Sequence, residues 1–380
     1  MRAFLRQSAV AAGIIAATQL LRPGIASACP DLSEAPTDRW SLRSEYGVEW
    51  LVTPCGERFY SLGVNVVDNE MSKGASSDSR KDYDWRRFYS SPAAWSAGTR
   101  QRIVSWAFNT AGAWSRPPDI LALPEIASLD LGRHLDFQWF DAFDPATETA
   151  MRSLALSLVA RYKGSPYRIG YFSDNEIGWW GGALFVYYSK KPGGNYTKQR
   201  WVELLRQDYG GDWQRFVADF VPPPGVTSWD QLLYAEVMTK LRPASNGIRE
   251  VRRWTATLAE RYAAIVERVL RAADPDALIF GDRLPIYYDS DALRVMAPHF
   301  DAIAVNYNID SPDGWIARYF FDGIRQLTGG KPVLVSEWFF AAQQNRTGNR
   351  NNGHLMTVTT QEERASGAAA AQLNSRRCRN

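Results

Sequence analysis

The chain has 380 residues, the length of one large domain or two modest ones, and its 45% hydrophobic and 22% charged content excludes a disordered chain. The formal charge of +3 resides in the first 28 residues, which hold Arg2, Arg6 and Arg22 and no acid; the balanced remainder excludes a nucleic-acid binder working through a strong positive field. Aromatic residues reach 13%, with 15 Trp, 17 Tyr and 17 Phe. Most serve a core, but so many flat apolar rings also suit a cleft that stacks flat ligands, sugars foremost.

Residues 1–28 read as a secretory signal, with a charged start at Arg2 and Arg6, an apolar run over 9–21, and the small-residue cleavage site Ala26-Ser27-Ala28. That run is shorter than the roughly 20 residues a membrane span needs. The expected location is therefore secreted or periplasmic, with no membrane partner once the signal is removed. Cys29 follows the cut, so a lipoprotein is the alternative; Ala26 argues against it, standing where a lipobox prefers a branched apolar residue. Cys29 and Cys55 are able to pair in an exported chain, leaving Cys378 spare. No Cys or His spacing resembles a zinc site, so neither metal nor cofactor is expected.

Residues 29–57 form an N-terminal extension to a domain over 58–380. There, short continuous apolar runs alternate with helical stretches, the pattern of an α/β fold with buried parallel strands. Strands are predicted at 59–66, 103–109, 134–140, 169–173, 278–281, 302–307 and 333–336. Helices are predicted over 147–162, with Met151, Leu154 and Leu158 on one stripe, and over 249–273, with Trp254, Leu258, Ile265 and Val269. Between the fourth and fifth strands, 177–248 is too long for a loop and is expected to be a helical insertion, broken by Pro222-Pro223-Pro224-Gly225. Seven strands with intervening helices read as a (β/α)8 TIM barrel truncated before strand eight. A polar loop over 343–353, an Ala-rich helical stretch over 360–373 and a basic tail follow the seventh strand.

In such a barrel the reactive residues stand where strands end. The fourth predicted strand runs into Asp174-Asn175-Glu176-Ile177-Gly178-Trp179-Trp180, and the seventh into Ser336-Glu337-Trp338. Two carboxylates across a cleft edged by aromatic rings are the parts that cut a glycosidic bond, one protonated by an apolar surround and one ionised. Asp68-Asn69-Glu70 repeats the triplet of 174–176 after strand one, but without Trp neighbours, and reads as a rim segment.

Asn175-Glu176 with Glu337 resembles the clan A retaining glycoside hydrolases. The segments Phe108-Asn109-Thr110-Ala111-Gly112-Ala113-Trp114-Ser115, Gly170-Tyr171-Phe172-Ser173-Asp174-Asn175-Glu176 and Thr360-Gln361-Glu362-Glu363-Arg364-Ala365 resemble the agarase-type enzymes of glycoside hydrolase family 50. The resemblance covers residues 58–372. It implies Glu176 as acid/base, Glu337 as nucleophile and Asn175 as the partner of the sugar 2-hydroxyl. It further implies that Tyr307 holds the nucleophile's carboxylate. Arg283 is a candidate to steady the nucleophile's charge, with ion pairing to Asp282 or Glu45 as the structural alternative. Trp114, Trp179 and Trp338 are the candidate sugar platforms. The implied activity is retaining hydrolysis of a β-linked galactan, with β-galactosidase or β-mannanase activity as the alternative. An inactive carbohydrate-binding relative is the reading from another class, because the family's eighth strand carries a cleft-lining Trp and no such strand is predicted here.

Overall fold

The computed structural model describes residues 31–69, 84–135, 140–309, 311–344 and 356–377, without the side chains of 376 and 377. The expected signal, Cys29, Glu70 and Cys378 lie outside the described residues. Cys55 is disulfide-bonded. Among the described residues no helix is long and apolar enough to cross a membrane.

A small antiparallel sheet comes first: β1 (Ser41–Glu45), β2 (Val48–Val52) and β3 (Arg58–Phe59). Five parallel strands follow in spatial order: β4 (Gly63–Val64), β5 (Thr110–Ala111), β6 (Glu125–Ser128), β7 (Arg168–Asn175) and, past the separate antiparallel pair β8 (Phe220–Val221) and β9 (Lys240–Leu241) in the chain, β10 (Leu278–Arg283). The end of β10 continues the row. Leu284 forms a parallel bridge with Val305 of β11 (Ile303–Asn306), which pairs in parallel with β12 (Val333–Glu337). Among the described residues seven parallel strands thus neighbour one another in chain order, with helices between them, which establishes an α/β fold. Asn65, just past β4, donates its Nδ2 to the Ser336 carbonyl on β12 at 3.0 Å, so a side chain joins the first parallel strand to the seventh. That approach needs Gly112, where a Cβ would stand 2.0 Å from Asn65 Oδ1. β12 is half-buried along its whole length, whereas β10 and β11 are buried throughout.

The helices predicted over 147–162 and 249–273 have counterparts at Pro145–Val159 and Ile248–Ala273. The first helix, α1, is Pro92–Ser105; α2 is Pro118–Leu121; α3, Pro145–Val159, packs Met151, Ala155 and Val159 inward. Four helices follow β7: α4 (Gly181–Ser189), α5 (Tyr196–Asp208), α6 (Trp213–Asp219) and α7 (Trp229–Tyr234). The 26-residue α8 (Ile248–Ala273) then returns to the sheet. Its buried stripe, Val251, Trp254, Leu258, Tyr262, Ile265 and Val269, has the spacing of one helix face, and it seats against both the sheet and the helices after β7. Helices α9 (Ser290–Met296) and α10 (Arg318–Leu327) follow β10 and β11, and α11 (Gln361–Arg377) closes the described chain.

Two strand expectations are corrected. Residues 103–109 contain the end of α1, with Ile103 on its buried face, and the strand is the two-residue β5 beyond it. The third parallel strand is Glu125–Ser128; Arg133–Leu135 is a 3-10 turn, and 136–139 lie outside the described residues. A charged residue disguises the true strand: Glu125 is 1% exposed, and burial, with Asp119 nearby, pushes its carboxyl up to about 9.

The stripe of α8 sets a stability test. Leu258→Ala is expected to lower unfolding free energy by about 2–5 kcal/mol, measured by denaturant titration. Ile248→Ala, at an exposed site on the same helix, is expected to stay within about 0.5 kcal/mol of the parent.

Candidate active site

The C-terminal ends of β7, β10, β11 and β12 carry a row of polar side chains. In the strand register Arg283 stands beside Asn175, and Asn306 beside Glu337. The sequence-nominated Asn175, Glu176, Arg283 and Glu337 therefore meet at one edge of the sheet. Glu176 follows β7 with its N–H on the Arg283 carbonyl at 3.0 Å, and its φ of 54° is left-handed. A non-glycine residue holds that conformation only when its surroundings impose it, at a cost of about 1–3 kcal/mol. Here the imposing contacts are the Arg283 carbonyl, Ile177 N–H on Asp282 Oδ1 at 3.2 Å, and Asn306 Nδ2 on Glu176 Oε1 at 2.9 Å.

Arg283 is inaccessible to water, and its Nη2 donates to Glu337 Oε2 at 2.7 Å and to the Ser336 carbonyl at 3.2 Å. Its Nε and Nη1 have no hydrogen-bond acceptor among the described residues. The guanidinium instead lies 4.6 Å from the Trp114 ring centre and 5.4 Å from that of Phe172, within cation–π range. Burial lowers its pKa, opposed by the charges of Glu337 and Glu176. Glu45, the alternative partner expected for Arg283, pairs with Arg43 and Arg58 instead.

The remaining nominated residues divide. Tyr307 is 1% exposed; its N–H meets the Glu337 carbonyl at 2.9 Å, while its hydroxyl accepts from Ala317 N–H at 2.7 Å. Its ring packs on Phe320 and Phe321. Trp114, also at positive φ, donates Nε1 to Asp130 Oδ2 at 2.9 Å and has Arg283 over its ring. Trp338 is half-buried and meets Phe340 edge-on. Trp179 is 7% exposed and packs into the core against Tyr262, so it presents no free face to a sugar. Its neighbour Trp180 is 58% exposed. A Cβ on Gly178 would stand 2.5 Å from the Trp180 indole, so that ring lies against the Gly178 backbone.

Sequence reasoning missed Asn306, whose amide also donates to Asn175 Oδ1 at 3.0 Å. The signal was its place at the end of a predicted strand, beside Tyr307. It also missed a buried acid pair beneath the site, Asp174 and Asp282, which are opposite each other in the β7–β10 register. Asp174 accepts from Gly132 N, Arg133 N and the Tyr262 hydroxyl, yet burial pushes it up to about 7. Burial, reinforced by Asp174, raises Asp282 well above the usual carboxylate range. Among the described residues no group of three or more His, Cys, Asp or Glu is placed to hold a metal ion.

No protein-family model matches the chain. It is 21% identical to Beta-agarase B of Vibrio sp. (strain JT0107), over 73% of this chain and 30% of that protein. The solved PfGH50B superposes with a TM-score of 0.71 at 17% identity, covering 94% of this chain and 62% of that one. The agarase AgWH50C gives 0.68 at 18% identity, covering 96% and 61%. The chain therefore has the fold of these proteins, and it spans about three fifths of the solved chains and under a third of the curated relative.

The acid pair generates a pH test. A carboxyl whose folded pKa is raised stabilises the fold fully below its unfolded value of 3.8, and that contribution is lost as pH climbs toward the folded value. Asp282→Asn escapes this loss. Its melting temperature relative to the parent is expected to rise as pH climbs above about 4, read by scanning calorimetry; a pH-independent difference contradicts the buried-acid account.

Proposed function

We propose that the chain is an agarase-like glycoside hydrolase that cleaves β-linked galactan with retention of configuration. The observation that supports this most is the convergence of two carboxylates. Asn306 binds the carboxylate of Glu176 and is the strand partner of Glu337, while Arg283 holds Glu337 and accepts the Glu176 N–H on its own carbonyl. Similarity to a beta-agarase in sequence, and to solved agarases in fold, supports galactan as the substrate class. The seven parallel strands are read as the wall of a (β/α)8-type barrel, with 177–248 as its helical insertion.

Glu337 is held by Arg283. Its oxygen attacks the anomeric carbon while Glu176 passes its proton to the departing oxygen, so the carbon–oxygen bond breaks as the ester to Glu337 forms. Water then attacks the same carbon, Glu176 takes the water's proton, and Glu337 leaves as carboxylate. Two carboxyl groups about 5–5.5 Å apart suit this double displacement. Asn175 binds the 2-hydroxyl. The platform role expected for Trp179 passes to Trp180, whose exposed ring lies four residues beyond Glu176.

Glu176→Ala and Glu337→Ala are each expected to reduce hydrolysis of agarose by at least about 10³-fold. An aryl galactoside with a good leaving group partly restores Glu176→Ala and not Glu337→Ala; the reverse pattern exchanges their roles. Equal, negligible turnover by parent and variants, with polysaccharide binding retained, contradicts the enzyme reading. Side-by-side assays on agarose, aryl galactosides and mannan decide the substrate. Trp180→Ala is expected to raise KM for oligosaccharides about 3- to 10-fold with little change in kcat, whereas Trp179→Ala destabilises the fold.

A further inference from the structure

We propose that Asn306 is the positioning residue of this site: one buried amide that fixes which oxygen of Glu176 carries the transferable proton and which atom of Asn175 faces the sugar. This inference rests on the reading of Glu176 as acid/base. Asn306 is 3% exposed at the end of β11, between the strands that deliver the two glutamates. Its amide faces two oxygens on one side, Glu176 Oε1 at 2.9 Å and Asn175 Oδ1 at 3.0 Å. Only an NH2 group, with one hydrogen for each, satisfies both; a carbonyl turned that way would meet two acceptors with no proton between them. The Asn306 Oδ1 then faces the Ser336 hydroxyl at 3.0 Å, which is able to donate to it and also lies 3.0 Å from the Val305 carbonyl. Ser336 immediately precedes Glu337, and its own carbonyl accepts from Arg283 and Asn65.

Two consequences follow from this orientation. Glu176 Oε1 is occupied as an acceptor whether or not the carboxyl is protonated, so the proton resides on Oε2. Asn175 Oδ1 is likewise occupied, so its Nδ2 is the atom left for a hydroxyl oxygen of the substrate. The amide thus prepares the acid and the hydroxyl-binding group together, and Ser336 keeps it from turning over.

An N–H on a carboxylate favours its charged form. Removing it makes Glu176 hold its proton more tightly and aim it less well. The ionisable groups near Glu176 are Arg283 and Asp282 on β10, which interact with it electrostatically, and Glu337 on β12, which pairs with Arg283, and all remain in the variants. The experiment is the pH profile of kcat/KM on an agaro-oligosaccharide for the parent, Asn306→Ala, Ser336→Ala and Glu176→Gln. In Asn306→Ala the alkaline limb is expected to move up by about one pH unit and kcat to fall about 10- to 100-fold, more than KM changes. Ser336→Ala shifts the limb in the same direction by less, and it carries the test if Asn306→Ala does not fold. Glu176→Gln abolishes the limb. If it survives in Glu176→Gln, the acid/base reading fails, and this proposal with it. If Glu176→Gln abolishes the limb while folded Asn306→Ala and Ser336→Ala keep it at its parental position, the positioning role alone is overturned.

Discussion

A guanidinium sealed from water is tolerable only beside something that offsets its charge, and Arg283 has Glu337 at 2.7 Å and two aromatic rings around it. Desolvating a cation costs several kcal/mol, and removing one partner of such a pair leaves the other uncompensated. The pair therefore joins β10 to β12 and draws in Trp114 from the turn after β5, fixing the site from three directions. On the proposed reading the same contact holds the nucleophile in place, so one interaction serves both the fold and the chemistry.

Strain gathers around this pair. Glu176 and Trp114 both have positive φ, and both touch Arg283, one through its carbonyl and the other through its guanidinium. Backbone forced into that region by surrounding contacts marks sites where position outweighs local comfort. Beneath them lie Asp174 and Asp282, acids whose burial raises their pKa. The layer holding the site is thus built from polar groups that a purely structural core would exchange for apolar ones.

The parts legible in the sequence are those where one force dominates. The long α8 was readable because its apolar stripe keeps helical spacing over 26 residues, and β7, β10 and β11 because continuous apolar runs bury both faces; β12 has a like run although it is only half-buried. Glu176 and Glu337 were nominated from strand ends and neighbouring aromatics, and Asn175 from the family resemblance; they lie together around Asn306. β5 and β6 were misplaced because two to four residues carry too little periodicity, and a buried glutamate in β6 resembles an exposed one until its surroundings are known. Trp179 and Trp180 are indistinguishable as letters; only their surroundings bury the one and leave the other exposed. Asn306 escaped notice because its importance lies in three hydrogen bonds made by partners distant in sequence, which no spacing rule records.

The central claim is that Glu176 and Glu337 work on one acetal by double displacement. Proton NMR of the first-formed sugar during hydrolysis of an agaro-oligosaccharide addresses it most directly, because two successive inversions leave the reducing end in the β-configuration before mutarotation. The account predicts the β-anomer first; initial release of the α-anomer would contradict it.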